Sequence, residues 1–241
     1  MQYSQLKILT KNKYNRLLFV QLLGLFMFPL VQNNQIVNIV FTLVFFFSFL
    51  GTIILIITEL EHSKKFFCWY LILALIALIC YFIGSLNLFL QDKILVIFTI
   101  SNVIVLFFMA ISINLIVREI FPTRKVTGDT IKGGVCVYLL LGLLWDNIYQ
   151  IIYSFNSNSF NGIASSHSQA DLLYFSYITL TTVGYGDITP VTSIARVLAN
   201  LEAIVGIMYP AIYISRLVGI YSNEQGKSSG EEKLKEKEKN K

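Results

Sequence analysis

Ionisable residues are rare in six long apolar runs of this chain, and that rarity limits what it can become. The runs cover residues 14–31, 36–58, 66–90, 94–117, 135–155 and 191–221. A hydrocarbon core about 30 Å thick is crossed by about 20 apolar residues in a helix. Five runs reach that length and the first approaches it. The last is long enough, at about 1.5 Å per residue, to extend past the hydrocarbon. Charged residues make up 14% of the sequence and hydrophobic residues 55%, whereas soluble domains carry about 25% charged residues. Lipid suits such surfaces and water does not. The expected fold class is an all-α membrane protein with six transmembrane helices.

The net charge of +5 is not a nucleic-acid signal, because the basic residues lie in clusters between the runs. Sixteen Lys and Arg fall in the N-terminal segment and at Arg16 in the first turn of the first run, after the second run, after the fourth run and in the tail. The remaining connections hold only Lys93, and Arg196 and Arg216 sit inside the sixth run. Positive residues accumulate in cytoplasmic loops. Both termini are therefore expected in the cytoplasm, with the chain crossing a plasma or bacterial inner membrane several times. Arg196 and Arg216 are expected to reach the two interfaces. No small-residue cleavage pattern follows the first run, so it is read as a retained span. Cys68, Cys80 and Cys136 lie within apolar runs, as packing thiols rather than disulfide partners.

The same reading divides the chain. Residues 1–13 form a cytoplasmic N-terminal segment, 14–120 a four-helix membrane domain and 135–221 a second membrane module. Residues 121–134, with Pro122, Gly128, Gly133 and Gly134 among charges, read as a cytoplasmic linker. Residues 222–241 form a charged cytoplasmic tail, solvated and either helical or disordered. A voltage sensor needs positive residues spaced along one span. The fourth run holds no Lys or Arg, so the first four spans carry no sensor charges.

Between the fifth and sixth runs, Asp171 to Thr182 is apolar but too short to span. Ser168 with Asp171 three residues later suits a capping-box start. Gly184 and Gly186 at alternate positions stop the helix. Non-spanning backbone at membrane depth is tolerated only inside protein or beside a wet cavity, so a re-entrant helix and loop are expected here.

The string Thr181-Thr182-Val183-Gly184-Tyr185-Gly186-Asp187 resembles the filter signature of the potassium channel superfamily. The resemblance covers the pore, about residues 132–221, and not a charged sensor. It implies a pore domain of outer helix, pore helix, selectivity filter and inner helix. K+, the transported ion, would bind at Thr182, Val183, Gly184 and Tyr185, with Gly186 completing the filter; no organic cofactor is implied. Thr181 and Asp187 would support the filter, Asp187 through buried hydrogen bonds. Where some relatives place a carboxylate partner for that Asp, this chain has Ile178. Gly206 falls where family members often place a hinge glycine, and Pro210 follows one turn later. Gly206 could instead serve close helix packing. Ile207, Ile214 and Val218 would face the cavity by helical spacing.

Asp146 and Glu202 are ionisable groups within spans. Glu202 is read either as filter support from behind or as a hydrogen-bonded packing group. His62 and His167 lack a second ligand at metal spacing. One chain carries one pore loop and a filter needs four, so a homotetramer with three identical partner subunits is expected, surrounded by membrane lipids. The function expected is passive potassium transport, insensitive to voltage. The alternative is a modulatory or non-conducting subunit of a cation channel. The sequence holds no nucleophile or metal constellation for an enzyme, and no repeat of the kind secondary transporters use.

Overall fold

The computed structural model describes residues 13–31, 72, 75–76, 91–123, 125–164 and 168–239, which are mostly helical. Helix α1 is Lys13–Val31, α2 Gln91–Ile120, α3 Gly128–Phe155, α4 Ser168–Leu180 and α5 Ser193–Lys239. A 3-10 turn at Ser157–Ser159 leads into β1 (Phe160–Asn161), which pairs with β2 (Thr189–Pro190) in an antiparallel sheet. Among the described residues, three helical stretches are long and apolar enough to cross a membrane: Thr99–Ile120, Gly128–Phe155 and Ser193–Ser222. A shorter apolar helix covers Tyr14–Met27. These carry the first, fourth, fifth and sixth runs. The second run lies outside the described residues, and so does the third apart from helical Ile72, Leu75 and Ile76. His62, His167, Cys68 and Cys80 also lie outside them.

One helix boundary differs from the sequence reading. The linker expected over 121–134 is only 121–127, because α3 starts at Gly128. Thr127 caps it, its hydroxyl oxygen accepting the Thr130 N–H at 3.2 Å. Gly133 and Gly134 are interior helix positions whose smallness admits neighbours. A Cβ on Gly133 would lie 2.8 Å from Ile120, and one on Gly134 would lie 2.2 Å from the Tyr213 ring. At the other end, α5 continues through the charged tail to Lys239, the helical one of the two forms left open there. At about 1.5 Å per residue it is roughly 70 Å long, more than twice a hydrocarbon core.

The helices pack through two apolar clusters. In one, Tyr14 and Leu17 of α1, Phe108 and Ile116 of α2, and Cys136 and Leu140 of α3 come together with Tyr213 of α5. Polar bonds fix their register. Tyr14 donates its hydroxyl to Glu119, Gln21 Nε2 donates to the Cys136 carbonyl at 3.3 Å, and Asn147 Nδ2 donates to Asn102 Oδ1 at 3.1 Å. In the second cluster, Trp145 and Tyr149 of α3 meet Phe160, then Leu172, Phe175 and Leu180 of α4, then Ala195 and Ala199 of α5.

Tyrosines fasten α5 to the start of α3. Tyr209 donates to the Gly134 carbonyl at 2.9 Å and Tyr213 donates to the Thr130 carbonyl. The two rings stack with centroids 5.9 Å apart. Alanine at Gly134 cannot coexist with Tyr213 in this place. Gly134→Ala should therefore destabilise the protein by about 1–3 kcal/mol. Gly128→Ala meets no atom within 4 Å and should leave stability unchanged. Thermal unfolding of the two variants in detergent checks the contrast.

Candidate functional site

The last four carbonyls of a helix have no donor within it, and α4 finds one for each. The Tyr177 carbonyl accepts the Thr181 N–H at 3.0 Å and the Thr181 hydroxyl at 2.6 Å. The Ile178 carbonyl accepts from Val183 N–H at 2.9 Å and Gly184 N–H at 3.1 Å, and the Thr179 carbonyl accepts from Thr182 N–H at 3.0 Å. The Leu180 carbonyl accepts the Tyr138 hydroxyl of α3 at 3.1 Å. The bonds from Val183 to Ile178 and from Thr182 to Thr179 are those of a Schellman motif. Thr182 occupies its left-handed position, φ 59°. Glycine usually sits there; a β-branched residue in that region costs about 1–3 kcal/mol.

From Thr182 the backbone alternates in hand. Thr182, Gly184 and Gly186 have φ of 59°, 54° and 82°, while Val183 and Tyr185 between them are negative. Alternation of this kind gives successive peptide groups a shared orientation, unlike a β-strand, where they alternate. Residues 181–187 are all exposed in the single chain. The Val183 and Tyr185 side chains are 51% and 74% exposed.

Behind this segment, Glu202 of α5 is fully buried and joins three helices. It accepts the Tyr149 hydroxyl from α3. Ser176 of α4 offers its hydroxyl to Glu202 Oε1 at 2.6 Å and to the Gly142 carbonyl at 2.8 Å. Glu202 thus reaches the middle of α4 rather than residues 181–187. Asp146 is not part of this group. One of its oxygens accepts from Gln150 at 2.8 Å and the other is buried without a hydrogen-bond partner.

In the single chain Asp187 is exposed. It does form a hydrogen bond, from the Tyr174 hydroxyl at 2.8 Å. Tyr174 lies one helical turn before Ile178, so α4 supplies a partner for Asp187 from a different rung. Sequence reasoning missed this residue, because a tyrosine in an apolar helix reads as packing. The bond to Asp187 pushes the Tyr174 phenol up to about 12. Asp171 accepts the Ala164 N–H at 2.8 Å. Ser168 lies within α4 as described, Ser168–Leu180.

On α5, Gly206 is set against the end of α4. A Cβ there would lie 1.9 Å from the Leu180 carbonyl oxygen. The close-packing role is thus visible in the geometry. Pro210 lies inside a continuous helix and lacks the N–H that would reach the Gly206 carbonyl. Ile207, Ile214 and Val218 are exposed in the single chain. Arg196 Nε donates to the Pro190 carbonyl at 3.2 Å, and Arg216 lies 4.8 Å above the Phe121 ring. Among the described residues no group of three His, Cys, Asp or Glu could hold a metal ion.

A family model described as ion channel matches residues 135–223, from α3 into α5. Protein LctB of Bacillus caldotenax is 34% identical over 102 residues, which cover 40% of this chain and 75% of LctB. The chain belongs to the potassium channel superfamily. Two-pore potassium channel 5 of Arabidopsis thaliana is 38% identical over 82 residues, covering 34% of this chain and 18% of that protein. Protein LctB of Geobacillus stearothermophilus is 50% identical over 48 residues, covering 20% of this chain and 35% of that protein. The chain spans less than a fifth of the length of the Arabidopsis relatives numbered 5 and 2. No solved structure matches it. Membership of a channel family, with apolar helices long enough to cross a bilayer, places the chain in a membrane.

The contact at Gly206 gives a direct expectation. A hinge glycine tolerates alanine with little loss of stability, whereas Cβ against a backbone carbonyl forces α5 away from α4. Gly206→Ala should lower the unfolding temperature in detergent, while Gly219→Ala, which meets nothing within 4 Å, should not. Equal stability of the two variants would return Gly206 to a hinge role alone.

Proposed function

We propose that this chain is one subunit of a homotetrameric, potassium-selective channel that carries K+ passively down its gradient. The observation that supports this most is the backbone of residues 182–186, whose alternating hand follows a capped short helix. On this reading α4 is a re-entrant pore helix, and the carbonyls of Thr182, Val183, Gly184 and Tyr185 replace the water shell of K+, with Gly186 completing the filter. The Thr182 hydroxyl adds the innermost ring. Thr181 supports the filter through its bonds to Tyr177, Asp187 through Tyr174, and Glu202 through Ser176. Ile207, Ile214 and Val218 face the cavity, and the turn from Gly206 to Pro210 is where α5 bends in gating.

The assembly follows from what one chain leaves bare. Val183, Tyr185 and the exposed apolar residues of α5 need cover, and a four-fold arrangement gives it by closing four loops around an axis. Exposed Phe19 and Phe26 of α1 and Phe107 of α2 face lipid. The chain has six spans, both termini in the cytoplasm, a cytoplasmic connection before α3 and a cytoplasmic end to α5.

Purified protein in vesicles should pass K+ and exclude Na+ without any other subunit. Gly186→Ala, at φ 82°, should abolish K+ flux or relax selectivity. Unchanged flux and selectivity in that variant would remove the filter assignment, and no flux from the parent chain would favour a modulatory subunit.

Voltage should have little effect on opening. One elementary charge crossing 100 mV is worth about 2.3 kcal/mol, and steep gating takes roughly 3–4 charges per subunit. Among residues 99–120 the only basic residue is Arg118, in the last turn of α2. Open probability recorded across about 200 mV in symmetrical K+ should vary shallowly; a curve worth several gating charges would contradict this.

A further inference from the structure

The loop between α3 and α4 holds an element the filter reading does not use. Phe160 is buried, edge-to-face with Tyr149 of α3 at 5.5 Å and with Phe175 of α4 at 5.3 Å. That ring anchors β1, and β1 pairs with β2 in the register Phe160 to Pro190 and Asn161 to Thr189. Val191 N–H donates to the Ser159 carbonyl at 2.8 Å and extends the pairing. Two residues after Phe160 the chain turns at Gly162, φ 86°. A Cβ on Gly162 would lie 2.0 Å from the Asp187 carbonyl oxygen and 3.2 Å from the Ile188 Cα. Only glycine lets the loop sit so close to that peptide.

Asp187 is therefore held from two sides. Tyr174 of α4 donates to its carboxylate at 2.8 Å, and Gly162 rests against its carbonyl. Neither side depends on a second subunit. The Asp187–Ile188 peptide cannot turn toward the loop without striking Gly162, and cannot drift away without disturbing the β1–β2 pairing that follows it.

We propose that residues 160–162 are a positioning element for the outer end of the filter, with Phe160 as its anchor and Gly162 as the stop for the Asp187 peptide. This rests on residues 182–186 being the filter. The element acts on how long the filter stays in its conducting shape rather than on which ion it selects. It touches no ion.

Register partners in an antiparallel pair have Cα atoms about 4.5–5.5 Å apart, within the range a disulfide spans. Asn161 and Thr189 are both exposed. The full-length Asn161→Cys, Thr189→Cys double variant, reconstituted in bilayers, can therefore be locked and unlocked in one protein. The readout is the decay of K+ current in low external K+, since bound ions stabilise the conformation that holds them by mass action. Oxidation should slow the decay about tenfold, and reductant should restore it. Phe160→Leu should hasten the decay, and raised external K+ should counter that effect, to which a general folding defect would not respond. A bridge that forms by mass shift yet leaves the decay unchanged overturns the proposal. Failure of the bridge to form does so too, by removing the strand pairing. K+ over Na+ selectivity at the start of each record tests the filter reading by itself: lost selectivity in the parent chain removes that reading, and retained selectivity with an unaltered decay removes only the positioning element.

Discussion

The carbonyl end of α4 is the constraint around which the site is arranged. Four carbonyls must be satisfied where the helix stops, and three of them are met by N–H groups of residues 181–184. Those bonds fold the chain back over the helix end, and the fold-back requires Thr182 to be left-handed. The fourth carbonyl, Leu180, is met from outside by Tyr138. It is also the atom against which Gly206 packs. One helix terminus therefore sets the conformation of the segment after it, a tyrosine on α3 and a glycine on α5.

From that terminus an aromatic column runs along the helices. Tyr138 stacks on Tyr209 at 6.1 Å, Tyr209 on Tyr213 at 5.9 Å, and Tyr213 meets Phe121 at 6.3 Å, with Arg216 over the Phe121 ring. Packing and bending at Gly206 are then compatible. The glycine is pinned to α4, while the turn that follows lacks the Pro210 N–H. Any bend there meets Tyr209 and Tyr213 at once, because both hydroxyls are bonded to α3 carbonyls. On the proposed reading, a movement of α5 in gating would have to break those bonds or take the first turns of α3 with it.

The spans and the motif were legible because both are local. Apolar length marks α2, α3 and the first part of α5, and glycines at alternate positions mark the left-handed backbone of 184 and 186. What was not legible depends on contacts distant in sequence. Gly133 and Gly134 read as linker glycines because nothing in their neighbourhood shows that Ile120 and Tyr213 will press on them. Tyr174 reads as an apolar-helix residue until Asp187, thirteen positions later, comes within 2.8 Å of its hydroxyl. Gly162 lies in a polar loop where glycine is unremarked, and its close approach to Asp187 exists only in three dimensions. Thr182 is the clearest case: its side chain type argues against a left-handed conformation, and the helix cap overrides it.

That override bears on how the site is completed. The strain at Thr182, about 1–3 kcal/mol, is imposed by hydrogen bonds within one chain, and so are the holds on Asp187 and Glu202. The front of the segment is different, since Val183 and Tyr185 stay largely exposed in their own chain. The work is thus divided. Each chain fixes the hand of its own backbone before it meets another, and assembly on the proposed reading has only to bring four preformed strands to a common axis. An ion site assembled that way needs little reordering of the backbone when subunits associate, because the single chain already carries the alternating hand of residues 182–186.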